Sequence, residues 1–514
     1  MFLQGSQDSR KLDLEAASQY HLSSLFLMNN AAKTVADSIR QIYPFYKDPI
    51  FFLAGPGNNG NDTVLTSSLL HQAGYQTVLI EYLPEKVHPS FQSIRQDLPY
   101  DHFLLEDIES FASLYRLRKP KAIVDGLFGV GLHKKLPDLI LRLFELINTL
   151  HPHPMIFSVD IPSGVSADSG MVYGKAIRAD FTITFDTVKN GHLLYPGKDF
   201  SGNLLVRKIG FPDELLSVTS PGITFLDESD FLAQAWSRIP KRHDNSYKGS
   251  FGKVGIFGGS KMYPGALALS TESCLRSGTG LVYGFFPEKD REWVHPLLLK
   301  EVIRMPFSNI SETEVSAWEA SVKLLHTIGI GPGLGREMDY SSLLQFYITH
   351  PSISLVIDAD GLYYAKPFLT THATKTIILT PHLGEMSMIS GLPIETIQSD
   401  LLFIAKQYAS LWQVILVLKS STTIIAHPDG RYYIHSLSQS SLAKGGSGDI
   451  LTGILCGLLS RKTDPFWACI AGVYLHGKIA QKAAMKLSST SVLPSDMLLE
   501  ISQVFYEWEN QSNR

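Results

Sequence analysis

The segment AKGGSGDILTGILCGLL, Ala443 to Leu459, joins a glycine loop to an apolar run and carries one carboxylate, Asp449. Its apolar residues recur at spacings of three and four, which predicts a helix entered from the loop. Backbone N–H groups at a helix start attract anions, and glycine lets a phosphate come close to them. A carboxylate at such a place either caps the helix or takes part in chemistry beside the phosphate.

Composition places the chain among globular proteins that act on small molecules. Its 514 residues are 44% hydrophobic and 18% charged, which suits two or three domains with their own cores. A net charge of −4 gives no sign of nucleic-acid or membrane-surface binding. The three cysteines lack metal-ligand spacing, and their odd number argues against a disulfide framework. Because we find neither a signal peptide nor an apolar run of roughly 18 residues, we expect a cytoplasmic protein.

Short apolar runs alternate with helical patterns along the whole chain, which predicts an α/β protein with parallel sheets. A first set of strand candidates lies in the N-terminal half: 50–55, 122–129, 155–164 and 181–187. A second set begins at KVGIFGGS, and a stretch of turn residues and charges separates the two sets. We therefore predict two domains, 1–218 and 219–514.

Nearly every strand candidate of the C-terminal half ends in a Gly, Asp, His or Lys cluster, and these clusters should meet in one crevice. There the GGSGD loop would bind phosphate, and Asp449 would accept the proton of a hydroxyl that attacks phosphorus, kept ionised by the helix N-terminus. Lys419 either supplies a positive charge to a nucleotide or is a strand-end lysine that reaches solvent. His382 is either a substrate contact or a turn residue.

A second site is predicted in the N-terminal half, where the loop GNNGND follows a strand and opens a helical pattern. Asn58 and Asn59 offer amides and Asp62 a charge, although Asn-Gly pairs are also common in turns. Asp125, Asp160 and Ser163 also lie at the ends of predicted strands in this half. Oxygen ligands that converge in this way would suit a hard monovalent or divalent cation.

From about residue 219 to 514 the series KGSFGKVGIFGGS, GIGPGLG, VIDADGL, LTPHLGE, LKSSTTIIA and GGSGDILTGIL resembles the ADP-dependent NAD(P)H-hydrate dehydratases. This family has a ribokinase-like fold, phosphorylates a hydrated nicotinamide cofactor with a nucleotide, and eliminates phosphate to regenerate NAD(P)H. The resemblance implies that Asp449 is the base and contacts the hydrate together with Ala266, Gly333 and His382. It places the nucleotide on Lys419, Ser420, Ser421, Thr422, Thr423 and Gly448.

From about residue 1 to 218 the stretches LMNNAAKTVADSI, GNNGND, VDGLFGVGL and VDIPSGVSADSG resemble the NAD(P)H-hydrate epimerases, whose domain is Rossmann-like with three layers. The resemblance implies K⁺ on Asn59, Asp125 and Ser163. It implies a hydrate-binding set of Asn58, Asn59, Gly60, Asn61, Asp62, Gly129, Val130, Gly131, Leu132, His133, Lys134, Lys135 and Asp160. Asp160 is our choice for the acid/base, since it lies at a strand end beside the substrate loop.

The chain departs from these families at several glycines. Serine replaces the usual glycine at Ser420, where loss of positive φ and added bulk would affect nucleotide affinity. Leu383 replaces the proline of HPGE, SQSSLA replaces GNPGMA, and Tyr247 replaces a histidine. Asn61 and Thr63 stand at positions where the epimerases usually carry glycine, and we predict that Thr63 lies in a helix, where a β-branched residue is acceptable.

The predicted function is repair of hydrated cofactors: epimerisation of R- and S-NAD(P)HX and dehydration of the S form. The small-molecule partners are then NADHX and NADPHX, with ADP or ATP as cosubstrate and Mg²⁺ accompanying the nucleotide. A kinase of the same fold, a dehydratase with an inactive N-terminal domain, and a nucleotide-binding protein without activity are the alternatives. The choice between ADP and ATP, the preferred hydrate and homo-oligomerisation stay open.

Overall fold

The computed structural model describes residues 1–45, 47–96, 98–308, 310, 325–350, 352–370 and 376–511. The chain divides into two compact units, Met1–Ile223 and Thr224–Arg514. Each unit is built on a mainly parallel sheet, which confirms the predicted α/β class.

The first unit contains a seven-stranded sheet in which every neighbouring pair is parallel. Its strands in spatial order are β4 (Asp101–Leu104), β3 (Gln76–Glu81), β2 (Pro49–Ala54), β5 (Ala122–Gly126), β6 (Met155–Val159), β7 (Phe181–Phe185) and β9 (Asn203–Arg207). The order reverses between β2 and β5, and in open parallel sheets such a reversal opens a crevice at the carboxyl ends of the strands.

Helices cover both faces of this sheet. They are α1 (Ser6–Tyr20), α2 (Ser24–Ile42), α3 (Asn58–Gln72), α4 (Ile108–Arg118), α5 (Asp138–Asn148), α6 (Lys198–Ser201) and α7 (Asp213–Thr219). Strand β2 shows the two-sided burial: Ile50 and Phe52 belong to the core that also contains residues of α2 and α3, whereas Phe51 and Leu53 belong to the core under α5. Alternate side chains of a strand point to opposite faces, so the unit has three layers, as predicted.

A small second sheet in this unit fixes one residue of the site. Strand β1 (Phe2–Gln4) pairs in parallel with β8 (Val188–Lys189) and antiparallel with β10 (Gly222–Ile223). Leu3 is fully buried, and Gln4 accepts a hydrogen bond from Thr187 at 3.0 Å. Lys189 is therefore held by backbone pairing at the edge of the larger sheet's crevice.

The sheet of the second unit has nine strands. In spatial order they are β13 (Ile303–Phe307), β12 (Leu281–Pro287), β11 (Lys253–Phe257), β14 (Thr327–Ile330), β15 (Ser354–Ile357), β16 (Ile377–Leu379), β17 (Ile415–Leu418), β18 (Ile424–Ala426) and β19 (Tyr432–Ile434). Pairs from β13 to β17 are parallel, whereas β17, β18 and β19 are antiparallel. The sequence VILVLKSSTTIIA thus forms two strands joined by the segment that starts at Lys419.

Helices of the second unit are α8 (Glu228–Gln234), α9 (Pro264–Arg276), α10 (Arg291–Val294), α11 (Ser341–Thr349), α12 (Asp360–Ala365), α13 (Leu383–Ser390), α14 (Ile394–Ser399), α15 (Leu401–Trp412), α16 (Ser447–Ser460), α17 (Pro465–Lys486) and α18 (Pro494–Gln511). Helix α16 packs closely on α9, because a Cβ atom on Gly453 would lie only 2.1 Å from the Ser270 carbonyl oxygen. This close approach fixes the helix that carries Asp449.

Candidate functional site

Asp449 is the third residue of α16, and it does not cap that helix. The N-cap is Gly446, whose φ of +101° suits glycine, and no side chain accepts a capping hydrogen bond there. Within the described part of the chain, no hydrogen bond reaches the Asp449 carboxylate. The capping interpretation of Asp449 therefore loses its structural basis, and the carboxylate is available at the mouth of the glycine loop.

Lys419 is held beside this loop by Asp358, a residue that we did not predict. Asp358 follows β15 and is almost fully buried, and one of its oxygens accepts hydrogen bonds from Lys419 Nζ and Thr380 Oγ1, both at 2.8 Å. Its other oxygen accepts a hydrogen bond from Thr452 of α16 at 2.8 Å. A Cβ atom on Gly448 would lie 3.4 Å from Lys419 Nζ, so the glycine loop and the lysine are adjacent.

His382 caps α13 and forms a reciprocal pair with Glu385. Its Nδ1 accepts hydrogen bonds from the backbone N–H groups of Gly384 and Glu385 at 3.0 and 3.2 Å. The backbone N–H of His382 in turn donates to Glu385 Oε2 at 2.8 Å. The imidazole keeps a side-chain exposure of 59%. His382 therefore combines the two predicted roles, since it is a turn residue whose ring still faces solvent.

Three carboxylates surround the single ammonium group of Lys419: Asp358, Glu385 and Asp449. Burial raises the pKa of Asp449 to about 7, the charges of Asp358 and Glu385 raise it as well, and Lys419 lowers it. Burial also raises the pKa of Glu385. A pKa of about 7 leaves Asp449 only partly ionised at neutral pH, so the helix N-terminus does not by itself keep this carboxylate fully ionised as we expected.

Two of the predicted hydrate contacts, Ala266 and Gly333, lie against each other. Gly333 has a φ of +64°, and a Cβ atom on it would lie 2.7 Å from the Ala266 Cβ. A separate cavity of about 260 Å³ opens beside His382 and Glu385. Its remaining lining residues are Arg336, Ala359, Asp360, Gly384 and Met388. Glu385 thus links this cavity to the carboxylates around Lys419.

The backbone at position 420 does not require the glycine that Ser420 replaces. It is absent from the residues with positive φ, and its hydroxyl donates a hydrogen bond to the Thr422 carbonyl at 2.7 Å. Leu383, which replaces proline, occupies the first position of α13, where many residues are tolerated. Nothing in the structure explains Tyr247, whose side chain is exposed.

In the first unit, Asn59 and Ser163 both bind the backbone of Phe128, and Asp125 binds Ser163. Asn59 donates to the Phe128 carbonyl at 3.0 Å, and Ser163 Oγ accepts from the Phe128 N–H at 2.9 Å. The carboxylate of Asp125, fully buried at the end of β5, accepts from Ser163 Oγ at 2.5 Å and Ser158 Oγ at 2.8 Å. The structure therefore brings together the three residues predicted to bind a cation.

These oxygen atoms fit a potassium ion. Asn59 Oδ1 is buried and has no hydrogen-bond partner among the described residues. Burial raises the pKa of Asp125 even though four hydrogen bonds from Ser163, Ser158 and Leu127 lower it, so a nearby cation would favour its ionised form. The described residues contain no group of three His, Cys, Asp or Glu that could hold a transition metal. A hard cation on oxygen ligands matches this donor set.

Asp160 follows β6 with a φ of +60° and accepts hydrogen bonds from Lys189 Nζ at 2.5 Å and Thr184 Oγ1 at 2.8 Å. Its carbonyl oxygen contacts His192 Nε2 at 2.9 Å. Burial and Lys189 lower the pKa of His192 to about 3, so this imidazole stays neutral. Lys189, itself buried, is a second residue that we did not predict.

Asp62 and Asp13 complete this cluster. Asp62 is buried in α3, and Asp13 lies on α1 as an exposed residue. Burial raises the pKa of Asp62 well above its usual value, with further increases from Asp160 and Asp13. Although Asp13 is exposed, partial loss of water raises the pKa of its carboxyl group to about 6, and Lys189 opposes the shift. The first unit therefore gathers Asp13 and Asp62 near the Lys189–Asp160 pair.

The substituted segment GNNGNDT of the first unit is helical from Asn58 onward, as predicted for Thr63. Helix α3 begins at Asn58, and neither Asn61 nor Thr63 has positive φ. The Asn61 side chain is buried and accepts a hydrogen bond from Arg95 Nη1 at 2.5 Å. Arg95 also forms a buried ion pair with Glu81 at 2.5 Å. Asn61 thus fills the space of the usual glycine with a side chain that binds Arg95.

The predicted hydrate loop, Gly129 to Lys135, lies next to α1. Arg10 of α1 contacts His133 Nε2 at 3.1 Å. The start of α1 is attached by Ser6, whose N–H and hydroxyl both donate to Asp168 at 2.7 Å. Helix α1 thus contributes Arg10 and Asp13 to the edge of the site.

Each predicted residue set falls at the carboxyl ends of the parallel strands, but sequence reasoning missed the residues that organise it: Asp358, Glu385, Asp13 and Lys189. Two signals were available. Asp358 lies in the quoted VIDADGL and Glu385 in LTPHLGE, both at strand ends. Lys189 and Asp13 carry no local motif. No helix in the described parts of the chain is long and apolar enough to cross a membrane.

Comparisons with known proteins agree with both halves of the chain. A family model described as NAD(P)H-hydrate dehydratase matches residues 254–503, and a model described as YjeF-related protein N-terminus matches residues 24–191. The bifunctional NAD(P)H-hydrate repair enzyme Nnr of Dictyoglomus turgidum is 31% identical over 93% of this chain and 93% of its own length. The enzyme of the same name from Moorella thermoacetica is 31% identical over 97% and 95%.

A solved structure resembles the second unit. The ADP/ATP-dependent NAD(P)H-hydrate dehydratase of Bacillus subtilis, co-crystallised with ATP and Mg²⁺, is 28% identical, with a TM-score of 0.48. The match covers 54% of this chain and 97% of that protein.

Proposed function

The chain belongs to the bifunctional NAD(P)H-hydrate repair enzymes, and from this membership we propose which of its residues carry out the epimerisation and the dehydration. The membership makes it a lyase and an isomerase that acts on NADHX and NADPHX. It also disfavours the small-molecule kinase that the glycine loop alone left open.

For the dehydration, Asp449 is the general base. It accepts the proton of the hydrate's hydroxyl while that oxygen attacks the terminal phosphorus of the nucleotide, and the phosphoryl group moves from nucleotide to hydrate. Phosphate then leaves with a ring proton, which regenerates NAD(P)H. The observation that supports this role is the unpartnered Asp449 carboxylate beside Lys419 and Gly448 at the start of α16.

Lys419 neutralises charge on the nucleotide phosphates, and Ser420, Ser421, Thr422 and Thr423 complete its binding segment. Asp358 holds the lysine at 2.8 Å, so the ammonium group is in place before nucleotide binds. ADP is the cosubstrate that we propose, which would yield AMP, with ATP as an alternative. Mg²⁺ bound with the nucleotide would supply positive charge to its phosphates. Ala266, Gly333 and His382 contact the hydrate.

For the epimerisation, Asn59, Asp125 and Ser163 bind K⁺, and Asp160 is an acid/base. Bound potassium would supply positive charge that orients the hydrate in the crevice. Asn58 to Asp62 and Gly129 to Lys135 contact the substrate. Asn59 Oδ1, which has no partner among the described residues, supports the cation, and the 2.5 Å contact from Lys189 supports a role of Asp160 in proton transfer.

One assay tests the dehydration. Purified protein is mixed with S-NADH hydrate and either ADP or ATP, and absorbance of reduced nicotinamide is followed together with released phosphate. We expect recovery of NADH only with nucleotide and Mg²⁺. Saturable nucleotide binding without recovery of NADH would instead indicate an inactive binding protein.

A second assay tests the epimerisation. A mixture of both epimers receives excess nucleotide, and the R form should disappear well above its spontaneous rate in K⁺. The Asp125→Ala variant should reduce this loss to the spontaneous rate without slowing repair of the S form, and exposed Asp107→Ala is its control. Disappearance of the R form at the spontaneous rate in the unaltered protein would mean an inactive N-terminal unit.

We also propose that residues 1–218 and 219–514 act as separate domains. Each half carries its own sheet and its own site, and the compact units divide nearby, after Ile223. A fragment from residue 219 or 224 should then dehydrate the S epimer alone. An insoluble or inactive fragment beside an active full chain would show that the halves depend on each other.

A further inference from the structure

The carboxyl group of Asp62 is buried without a partner. Its residue is 9% exposed, and no hydrogen bond or ion pair in the described ranges reaches the carboxyl oxygens. A buried carboxylate without a donor is costly, whereas a protonated carboxyl is tolerated. A proton on the Asp62 carboxyl group, or a hydrogen-bond donor on a bound ligand, would remove this cost.

Asp160, in contrast to Asp62, has hydrogen-bond donors. Its carboxylate accepts from Lys189 at 2.5 Å and Thr184 at 2.8 Å, and the lysine side chain is 5% exposed. Two donors, one of them charged, favour the ionised form of a carboxylate. The two carboxyl groups of the site thus differ in environment: Asp160 has two hydrogen-bond donors, whereas Asp62 has none among the described residues.

The groups that face Asp62 are Asp13 on α1 and Asp160 after β6, with Lys189 behind Asp160 and neutral His192 on its carbonyl. One ammonium group cannot balance three carboxylates. Burial and the charges of Asp160 and Asp13 raise the pKa of Asp62, which favours a proton on its carboxyl group. Asp13 acts on Asp62 through its charge.

The chemistry of the hydrate requires both forms. Reduced nicotinamide is an enamine, so water adds at the ring carbon next to nitrogen. Inverting that carbon by C–O cleavage requires a proton for the departing hydroxyl, which leaves as water while the nitrogen lone pair forms a C=N⁺ bond. Water then adds from the other face and gives up its proton to a base.

We propose that Asp62 is a catalytic acid of the epimerase site, working opposite Asp160, and that Asp13 is a positioning residue that keeps the proton on Asp62. Asp62 protonates the departing hydroxyl of one epimer, and Asp160 takes the proton of the water that adds. In the reverse direction Asp160 donates and Asp62 accepts, so atoms and charges balance. This inference rests on the epimerase activity proposed above.

Three variants of the full chain test it: Asp62→Asn, Asp13→Asn and, as a control on an exposed carboxylate of the same unit, Asp138→Asn. Loss of the R form is measured in K⁺ with excess nucleotide, and S-form repair is measured in parallel. We expect Asp62→Asn to lower kcat for the R form roughly 100-fold or more while S repair and the K⁺ dependence persist. Epimerisation in oxygen-18 water should place solvent oxygen on the ring.

Asp13→Asn gives a readout that loss of structure would not produce. The rate falls at high pH as Asp62 loses its proton, and removing the Asp13 charge should move that fall to lower pH. An Asp62→Asn rate within about threefold of wild type, or an unmoved pH profile in Asp13→Asn, overturns the inference while the epimerase assignment stands. A wild-type protein without epimerase activity overturns both.

Discussion

The two units arrange carboxylates differently around one lysine. In the second unit Lys419 contacts Asp358, whose oxygens are also held by Thr380 and Thr452, and no described residue donates a hydrogen bond to the proposed base Asp449. In the first unit Lys189 contacts the proposed acid/base Asp160 itself, and no described residue donates a hydrogen bond to the Asp62 carboxyl group. In each unit one carboxylate is held by the lysine, and burial raises the pKa of a second one.

This difference shows how the position of one lysine assigns roles among carboxylates. A carboxyl group whose pKa is raised to about 7 can act as a base near neutral pH, which suits the proton transfer of the dehydration. Two carboxyl groups in different environments suit a reversible inversion, which needs both a proton donor and a proton acceptor. The predictions below alter one member of a cluster at a time.

The largest effect is expected for Asp449→Asn. Removal of a general base costs roughly 100-fold to 10,000-fold in rate, and the dehydration should be abolished while nucleotide binding and the R-form epimerisation persist. Asp464→Asn, which keeps an N-cap acceptor for the Trp467 N–H at 3.1 Å and removes only the charge, is the matched control. Near wild-type turnover in Asp449→Asn would contradict the proposed mechanism.

Next come the two lysines, replaced singly by methionine. Removing one partner of a buried ion pair costs about 3–5 kcal/mol of stability. Because Thr184 or Thr380 still donates a hydrogen bond to the remaining carboxylate, we expect both variants to lie at the lower end of this range. Lys189→Met should impair only epimerisation and Lys419→Met only dehydration, as seen in urea unfolding and rates. Exposed Lys175→Met should change stability by less than about 0.5 kcal/mol. Impairment of both activities by either variant would contradict the claim that each lysine serves only the site of its own unit.

A tenfold effect per pH unit is expected for dehydration. Asp449 must be ionised to act as base, and its pKa is raised to about 7, so kcat/KM should fall about tenfold for each pH unit below 6. The same shift means that the folded state binds more protons between the unfolded pKa, about 3.9, and 7, so stability falls as pH rises through that window. Asp449→Asn should therefore be about 1–3 kcal/mol more stable than wild type at pH 8, measured by unfolding. A pH-independent rate between 5 and 8 would refute the assignment.

The smallest effect is expected for Ser420→Gly, which restores the usual glycine. Ser420 has negative φ and a hydrogen bond to Thr422, so glycine should cost about 0.5–1 kcal/mol of stability and change the nucleotide KM less than about threefold. A large gain in affinity would show that serine hinders the nucleotide, against the geometry described here. Leu383→Pro is a second test of a restored family residue, expected to leave both rates unchanged.

Sequence could predict the strands that end in the sites, because buried parallel strands are short apolar runs that stop at polar residues. It could not predict β1, β8 and β10, since strands of two or three residues leave no periodicity, and these strands position Lys189. Asp13 lies more than 140 residues from Asp160 in sequence, and only the packing of α1 brings them together. The ionisation of Asp449 also depended on tertiary structure, because the neighbours that raise its pKa come from other strands.

The contact between Asn61 and Arg95 has a consequence for how this chain could have evolved. Returning position 61 to glycine would remove one of the partners of a buried guanidinium that is 8% exposed, while Glu81 would still hold it in place. The two positions are thus coupled, because losing Asn61 removes an acceptor from Arg95, and losing Arg95 removes a donor from Asn61 and Glu81. Either single change leaves a buried polar group with one partner fewer, so the residue at one position affects which residues the other accepts.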